Sequence, residues 1–182
     1  MPSRRAVGVV LLAAAFLLSS CGPPSSVTWR NITFDVPEGW HVVEQGPTRM
    51  TLASAQIVPT GGTIEPEAAP DEPVVAMWFS YEPYTLPDDW RDFVDEQGAT
   101  LETDDQIRLT GDVPAARLIY SRTMDGVPTR EMVLVIPARS VVVFAQPVPR
   151  PGDTDAPDVF LDHVATFLEV VESAEFGAPV ED

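Results

Sequence analysis

Ala115-Ala116-Arg117-Leu118-Ile119-Tyr120-Ser121-Arg122 and Thr129-Arg130-Glu131-Met132-Val133-Leu134-Val135-Ile136 are two runs of strand-forming residues with Asp125-Gly126 between them. An aspartate-glycine pair supplies the positive-φ positions that a two-residue hairpin requires, so the two runs read as antiparallel neighbours. Downstream, a short Ala138-Arg139 link leads into a third run, Ser140 to Gln146. Upstream, Gln106 to Thr110 passes through Gly111-Asp112 into the first of them. Successive strands joined by short turns form a meander, whose pairing is antiparallel.

The first half of the chain gives more strands. Trp29 to Val36 alternates Trp29, Asn31 and Thr33 against Arg30, Ile32 and Phe34, which predicts one strand ending at Pro37-Glu38-Gly39. Trp40 to Glu44 and Arg49 to Ser54 flank Gln45-Gly46-Pro47 and predict a hairpin. Val74 to Tyr81 is apolar enough to be a central strand buried on both faces. Two segments have helical spacing. In the first, Pro87 suits the opening turn, Asp88 and Asp89 suit the positive end of the helix dipole, and Gly98 can end it. In the second, from Pro157 to Ser173, Phe160, Val164, Phe167, Leu168 and Val171 fall on one face. The expected fold is therefore α+β: a central antiparallel sheet flanked by helices in one domain over residues 28–173. A segment at 59–73, rich in proline and acid, reads as a disordered loop, and 174–182 as a flexible tail.

Three landmarks occur in order: Ile32-Thr33-Phe34-Asp35-Val36-Pro37-Glu38-Gly39-Trp40, Gly111-Asp112-Val113-Pro114-Ala115, and a closing amphipathic helix containing Phe167-Leu168. Together they resemble the PsbP-like (Mog-type) superfamily, which includes small bacterial lipoproteins. The resemblance implies an α/β/α sandwich with helices on both faces of the sheet. It implies scaffold and binding proteins, and it transfers no catalytic residue. The opening motif also makes physical sense alone: Pro37 cannot donate to a ladder and stops the strand, and Gly39 tolerates a positive φ.

The N-terminal segment reads differently. Arg4-Arg5 precede an apolar core from Ala6 to Leu18, then Ser19-Ser20-Cys21. This order is that of an exported chain's signal peptide. It resembles the lipobox of diacylglycerol-modified proteins, which implies a signal peptide at 1–20, lipidation of Cys21, and a tether at 21–27. About 13 apolar residues fall short of the ~20 needed to cross a bilayer. Cys21 is the single cysteine, so the chain has no intramolecular disulfide, zinc-thiolate site or other thiol nucleophile. Gly22-Pro23-Pro24-Ser25-Ser26 then hold the folded body within roughly 20 Å of the membrane, at about 3.5 Å per residue. The expected location is the cell membrane or outer membrane, lipid-anchored and facing away from the cytoplasm.

Charge agrees with acyl anchoring. The net charge of −17 becomes −19 without Arg4 and Arg5, and all eleven basic residues are arginine. Such a domain is repelled by nucleic acid and by anionic head groups, and its self-repulsion favours a monomer.

Chemistry is sparse. His41 and His163 are the two histidines, and the chain has no nucleophile elbow, phosphate-binding loop, dinucleotide fingerprint or paired-histidine zinc helix. His163 reads as a boundary residue of the closing helix. Asp88, Asp92, Asp95 and Glu96 fall near one helix face, and Glu102, Asp104 and Asp105 form a looser group. Helical carboxylates seldom converge on one calcium ion, so both groups read as solvated, and no metal or cofactor is expected. The leading expectation is a non-enzymatic binding or envelope-accessory domain whose partner is an envelope protein. The alternative is a carrier for a lipid or other apolar ligand, with Trp78, Phe79 and Phe160 lining a cleft. A hydrolase has the least support.

Overall fold

Tight turns with positive φ cut the chain into short antiparallel pairs. The computed structural model describes residues 26–60, 63–66, 73–82, 86–124, 126–148 and 154–178. The first pair is β1 (Ser26–Trp29) and β2 (Ile32–Asp35), joined by Arg30 and Asn31, both in the left-handed region at φ 46° and 59°. Two such residues form the tight turn that suits strand twist, and asparagine tolerates that conformation well. The single strand expected over Trp29 to Val36 is thus two strands, because alternation runs unbroken through a two-residue turn and conceals it.

The main sheet contains seven strands: β3 (His41–Gln45), β4 (Arg49–Ala53), β7 (Val74–Tyr81), β8 (Thr100–Leu109), β9 (Val113–Met124), β10 (Val127–Ile136) and β11 (Val141–Val148). Their spatial order is β3-β4-β7-β11-β10-β9-β8, antiparallel throughout. The meander is therefore present, as is the β3–β4 hairpin. Met124 pairs with Val127, so the turn between them spans two residues, of which Gly126 has φ 84°. Asp125 lies outside the described residues. After β7 the chain crosses, through α1 (Pro87–Glu96), to the far edge of the sheet and returns strand by strand to β7. Val74 to Phe79 are buried, as a central strand should be.

One face of this sheet carries the larger core. Leu52, Met77, Leu134 and Val143 point there, and the buried face of α2 (Ala156–Glu172) covers them with Phe160, Phe167, Val170 and Val171. The three-stranded sheet of β1, β2 and β12 (Glu175–Phe176) shares that cover, with Phe34 stacked on Phe79 at 4.6 Å. Trp40 meets Phe167 edge-on at 6.1 Å. Residues of the expected tail, 175–176, are therefore strand, whereas 179–182 lie outside the described residues. The expected loop at 59–73 is likewise partly strand: β5 (Ile57–Thr60) and β6 (Thr63–Pro66) pair antiparallel.

The helix-flanked α/β sandwich expected from the sequence and its resemblance is not the observed architecture. The chain is mostly antiparallel β structure with two helices among the described residues. The reason is how each face is covered. On the second face α1 spans ten residues and seals one end, placing Val94 against Ala116, Leu118 and Tyr120. Elsewhere on that face Ile57 of β5 packs with Ala53, Ala76 and Trp78. On the first face a β hairpin completes what α2 leaves open. Hairpins occupy the places where a sandwich would need further helices.

Candidate functional site

Among the described residues, Arg30, Asn31 and Ser140 are three of the four non-glycine residues with positive φ, and all three line one small cleft. Left-handed backbone outside glycine costs energy and concentrates where a site imposes it. The Arg30–Asn31 turn forms one wall. The other is a single 3-10 turn, Pro137–Arg139, which ends at Ser140 with φ 50°. Gly177 closes the floor, donating its amide to the Asn31 carbonyl at 2.7 Å. A Cβ at Gly177 would lie 3.0 Å from that oxygen, so the close approach calls for glycine. The Asn31 side-chain amide donates in turn to the Ala178 carbonyl at 2.9 Å.

Aromatic rings hold both cations of the cleft. The Arg30 guanidinium carbon sits 3.5 Å from the centre of the Tyr81 ring, and that of Arg139 lies 5.3 Å from Phe176. Arg30 also donates to the Pro47 carbonyl at 3.2 Å. The cleft encloses about 90 Å³, several times the ~10–15 Å³ that one water needs. None of the ten described residues that line it is an acid.

A second polar cluster is buried on the opposite face of the sheet. Glu131 is 2 % exposed and receives bonds from Arg122 at 2.8 and 3.0 Å, Tyr120 Oη at 2.9 Å and Thr129 Oγ1 at 3.0 Å. Burial, then the adjacent Glu131 charge, pushes the Tyr120 phenol well above its ordinary range. Burial works against the Arg122 charge, but bonding to Glu131 outweighs it and raises its pKa. Every carboxylate oxygen is satisfied from within, which makes this cluster a structural tie.

Three arginines, one on α1 and two on the sheet, are paired with carboxylates of β8. Arg91 bonds Asp104 at 2.7 Å, Arg117 bonds Asp105 at 2.6 Å, and Arg130 lies 2.8 Å from Glu102. The bond from Arg91 holds the Asp104 carboxyl below its usual range. Arg139 has no carboxylate partner among the described residues, and its buried Nε, like that of Arg130, has no well-aligned hydrogen-bond acceptor there.

The residues singled out from the sequence do not gather. His41 lies half-buried on β3, whereas His163 Nδ1 is bonded to the Val159 carbonyl at 2.9 Å beside Phe167. Asp88 pairs with Arg91, while Asp92, Asp95 and Glu96 are exposed. Among the described residues no group of three such side chains could hold a metal ion. Trp78 faces one side of the sheet, whereas Phe79 and Phe160 are packed into the core on the other, so the three do not line one cleft. Cys21 lies outside the described residues, none of whose helices is long and apolar enough to cross a membrane.

Sequence reasoning missed both polar clusters. Glu131 was open to detection, because it shares strand parity with Val133 and Val135 and so must turn inward. Arg139 offered no such signal, since a cleft made by three distant turns leaves no spacing to read. No family model matches the chain, and no curated protein matches its sequence. A crystal structure of PA94 from Pseudomonas aeruginosa, a protein of unknown function suggested to be a regulator, is similar over 87 % of this chain and 100 % of that one, at 14 % identity and a TM-score of 0.46.

Proposed function

We propose that this chain is an exported lipoprotein domain, held on a membrane by acyl chains at Cys21, which acts by binding rather than by turnover. The observation that carries the reading is where the fold starts. Ser26 already pairs with Asp35, and Trp29, three residues later, is buried. Four residues, Gly22 to Ser25, separate the lipobox cysteine from an ordered strand. A body so close to its attachment point works at the bilayer surface, and its acidity leaves the acyl chains as the means of attachment. The binding part of the reading draws on the Arg30–Arg139 cleft, and on histidines that are far apart in their roles. Kinship with PsbP-like lipoproteins is part of the same proposal, resting on the Ile32–Trp40 and Gly111–Ala115 landmarks and not on layered helices.

The test uses the full chain expressed in a bacterial host. Intact mass of the membrane fraction should show loss of residues 1–20 and addition of acyl chains at Cys21. Cys21→Ser should move the protein out of that fraction. An unmodified Met1 with a free thiol would sink the anchor. Lipid co-purifying at a fixed ratio with the Cys21→Ser protein would favour the apolar-carrier reading instead, and a turnover dependent on His41 or His163 would favour an enzyme.

A further inference from the structure

We infer that the outer edge of β8 takes on an additional strand from a partner protein, and that this partner presents an extended segment rich in lysine or arginine. The inference goes beyond the reading above: it needs neither the anchor at Cys21 nor the arginine cleft.

The two ends of the main sheet are finished differently. At one end β3 has five residues and β5 packs against it, with Val43 on the cluster that holds Ile57 and Gln45 bonded to the Thr28 carbonyl at 3.0 Å. At the other end β8 has ten residues, and no described strand lies outside it. Six of those ten are exposed, among them Thr100, Leu101, Gln106 and Arg108. The register with β9 shifts between Leu101 and Thr103, and the seven residues from Thr103 to Leu109 then pair regularly. Along that run every second residue turns its N–H and C=O away from β9. A row of such unpaired groups is a template for another strand, and the open ladder is the docking site.

Charge selects the occupant. α1 and β8 together carry eight acids and two arginines. Arg91 bonds Asp104 at 2.7 Å, which lays α1 along β8, and Asp88 and Asp95, about one turn to either side, share the helix face of Arg91. The acids of β8 itself are held by Arg91, Arg117 and Arg130, which fixes their side chains before a partner arrives. The charge left for a partner is on α1, where Asp92, Asp95 and Glu96 are exposed and, among the described residues, have no ion pair. Two copies of this edge would set like charges against each other, which disfavours a second copy of the chain. A basic segment meets unlike charge instead, and its backbone bonds to β8 supply affinity in the manner of strand addition.

The probe is a capped peptide of alternating threonine and lysine, about nine residues long, with threonine chosen for its strand preference. Added to the full-length mature chain in neutral detergent, it should shift the backbone amide NMR signals of alternate residues between Thr103 and Leu109 saturably and slow their hydrogen exchange. Glutamate in place of the peptide's lysines should abolish the effect. Asp92→Asn combined with Asp95→Asn, both at exposed positions of α1, should weaken binding about threefold. Unchanged affinity in that variant overturns the basic partner. Proline in place of the peptide's threonines keeps the charge and removes strand pairing, so equal affinity for that peptide overturns the docked strand. The absence of any saturable shift along β8 overturns both. Slow exchange of the same amides before peptide is added also overturns the inference. If it grows with protein concentration, the edge belongs to a second copy; if it does not, the edge belongs to another segment of this chain. Failure of Cys21→Ser to leave the membrane would remove the anchor and leave this result untouched.

Discussion

Glu131 occupies a strand position where its neighbours on the same face, Val133 and Val135, are fully buried. Its charge is tolerated because four bonds replace the water it gave up, two of them from Arg122. Arg122→Ala should therefore cost about 3–5 kcal/mol, the range for breaking a buried pair by removing one partner. Glu131→Gln should cost less, since its one amide oxygen can still accept from Arg122 and from either Tyr120 or Thr129, which bond different carboxylate oxygens. Urea denaturation orders the two, and an Arg122→Ala chain as stable as wild type would contradict this account. Tyr120 adds a pH dependence. Its folded-state pKa is raised, so the unfolded chain releases the phenolic proton first, above the ordinary value of ~10. Stability is thus whole below that pH and falls as pH rises beyond it, by up to about 1.4 kcal/mol per unit. Melting temperatures between pH 9 and 11.5 should decline in the wild type, and decline less steeply in Tyr120→Phe.

Among the elements, α2 seals the larger core. Phe160 and Phe167 are fully buried and lie 5.8 Å apart, whereas Leu161, on the same helix, is 49 % exposed. Phe160→Ala should cost about 3–5 kcal/mol and Leu161→Ala less than about 0.5 kcal/mol. Equal losses in thermal melts would mean that the helix face is assigned wrongly. This helix was legible because its apolar spacing is long and regular, and the hairpins at Gln45-Gly46-Pro47 and Asp125-Gly126 were legible through turn residues with a strong local preference. The Arg30–Asn31 turn was not. Arginine is an uncommon choice for left-handed backbone, and tertiary contacts override its preference there. The sandwich expectation failed for a related reason. Periodicity shows which residues turn inward, but it does not show whether a helix or a hairpin will meet them.

On the scale of the whole molecule, the acidic and basic side chains are unevenly shared. Carboxylates cover the outside of α1 and the edge strand β8, where Arg91, Arg117 and Arg130 tie three of them down. Charged edges resist pairing with like-charged chains, so β8 is guarded although no described strand lies beyond it in the sheet. The cleft at Arg139 sits in a different part of the fold, formed where β2, β12, β7 and β11 come together. None of this was readable from spacing, since it depends on which distant segments meet. The same long-range joinery governs how the molecule is made. Tyr81 pairs with Val141 and Val74 with Val148, so each residue of the apolar strand β7 waits for 60 to 74 more residues before its second neighbour exists. At ~5–20 residues per second that interval is roughly 3–15 s. For that time the ribosome-bound chain displays Val74 to Phe79 along an open ladder. The strand that locks the finished sheet together is thus the most adhesive part of the nascent one, and its safe passage depends on an escort or on speed.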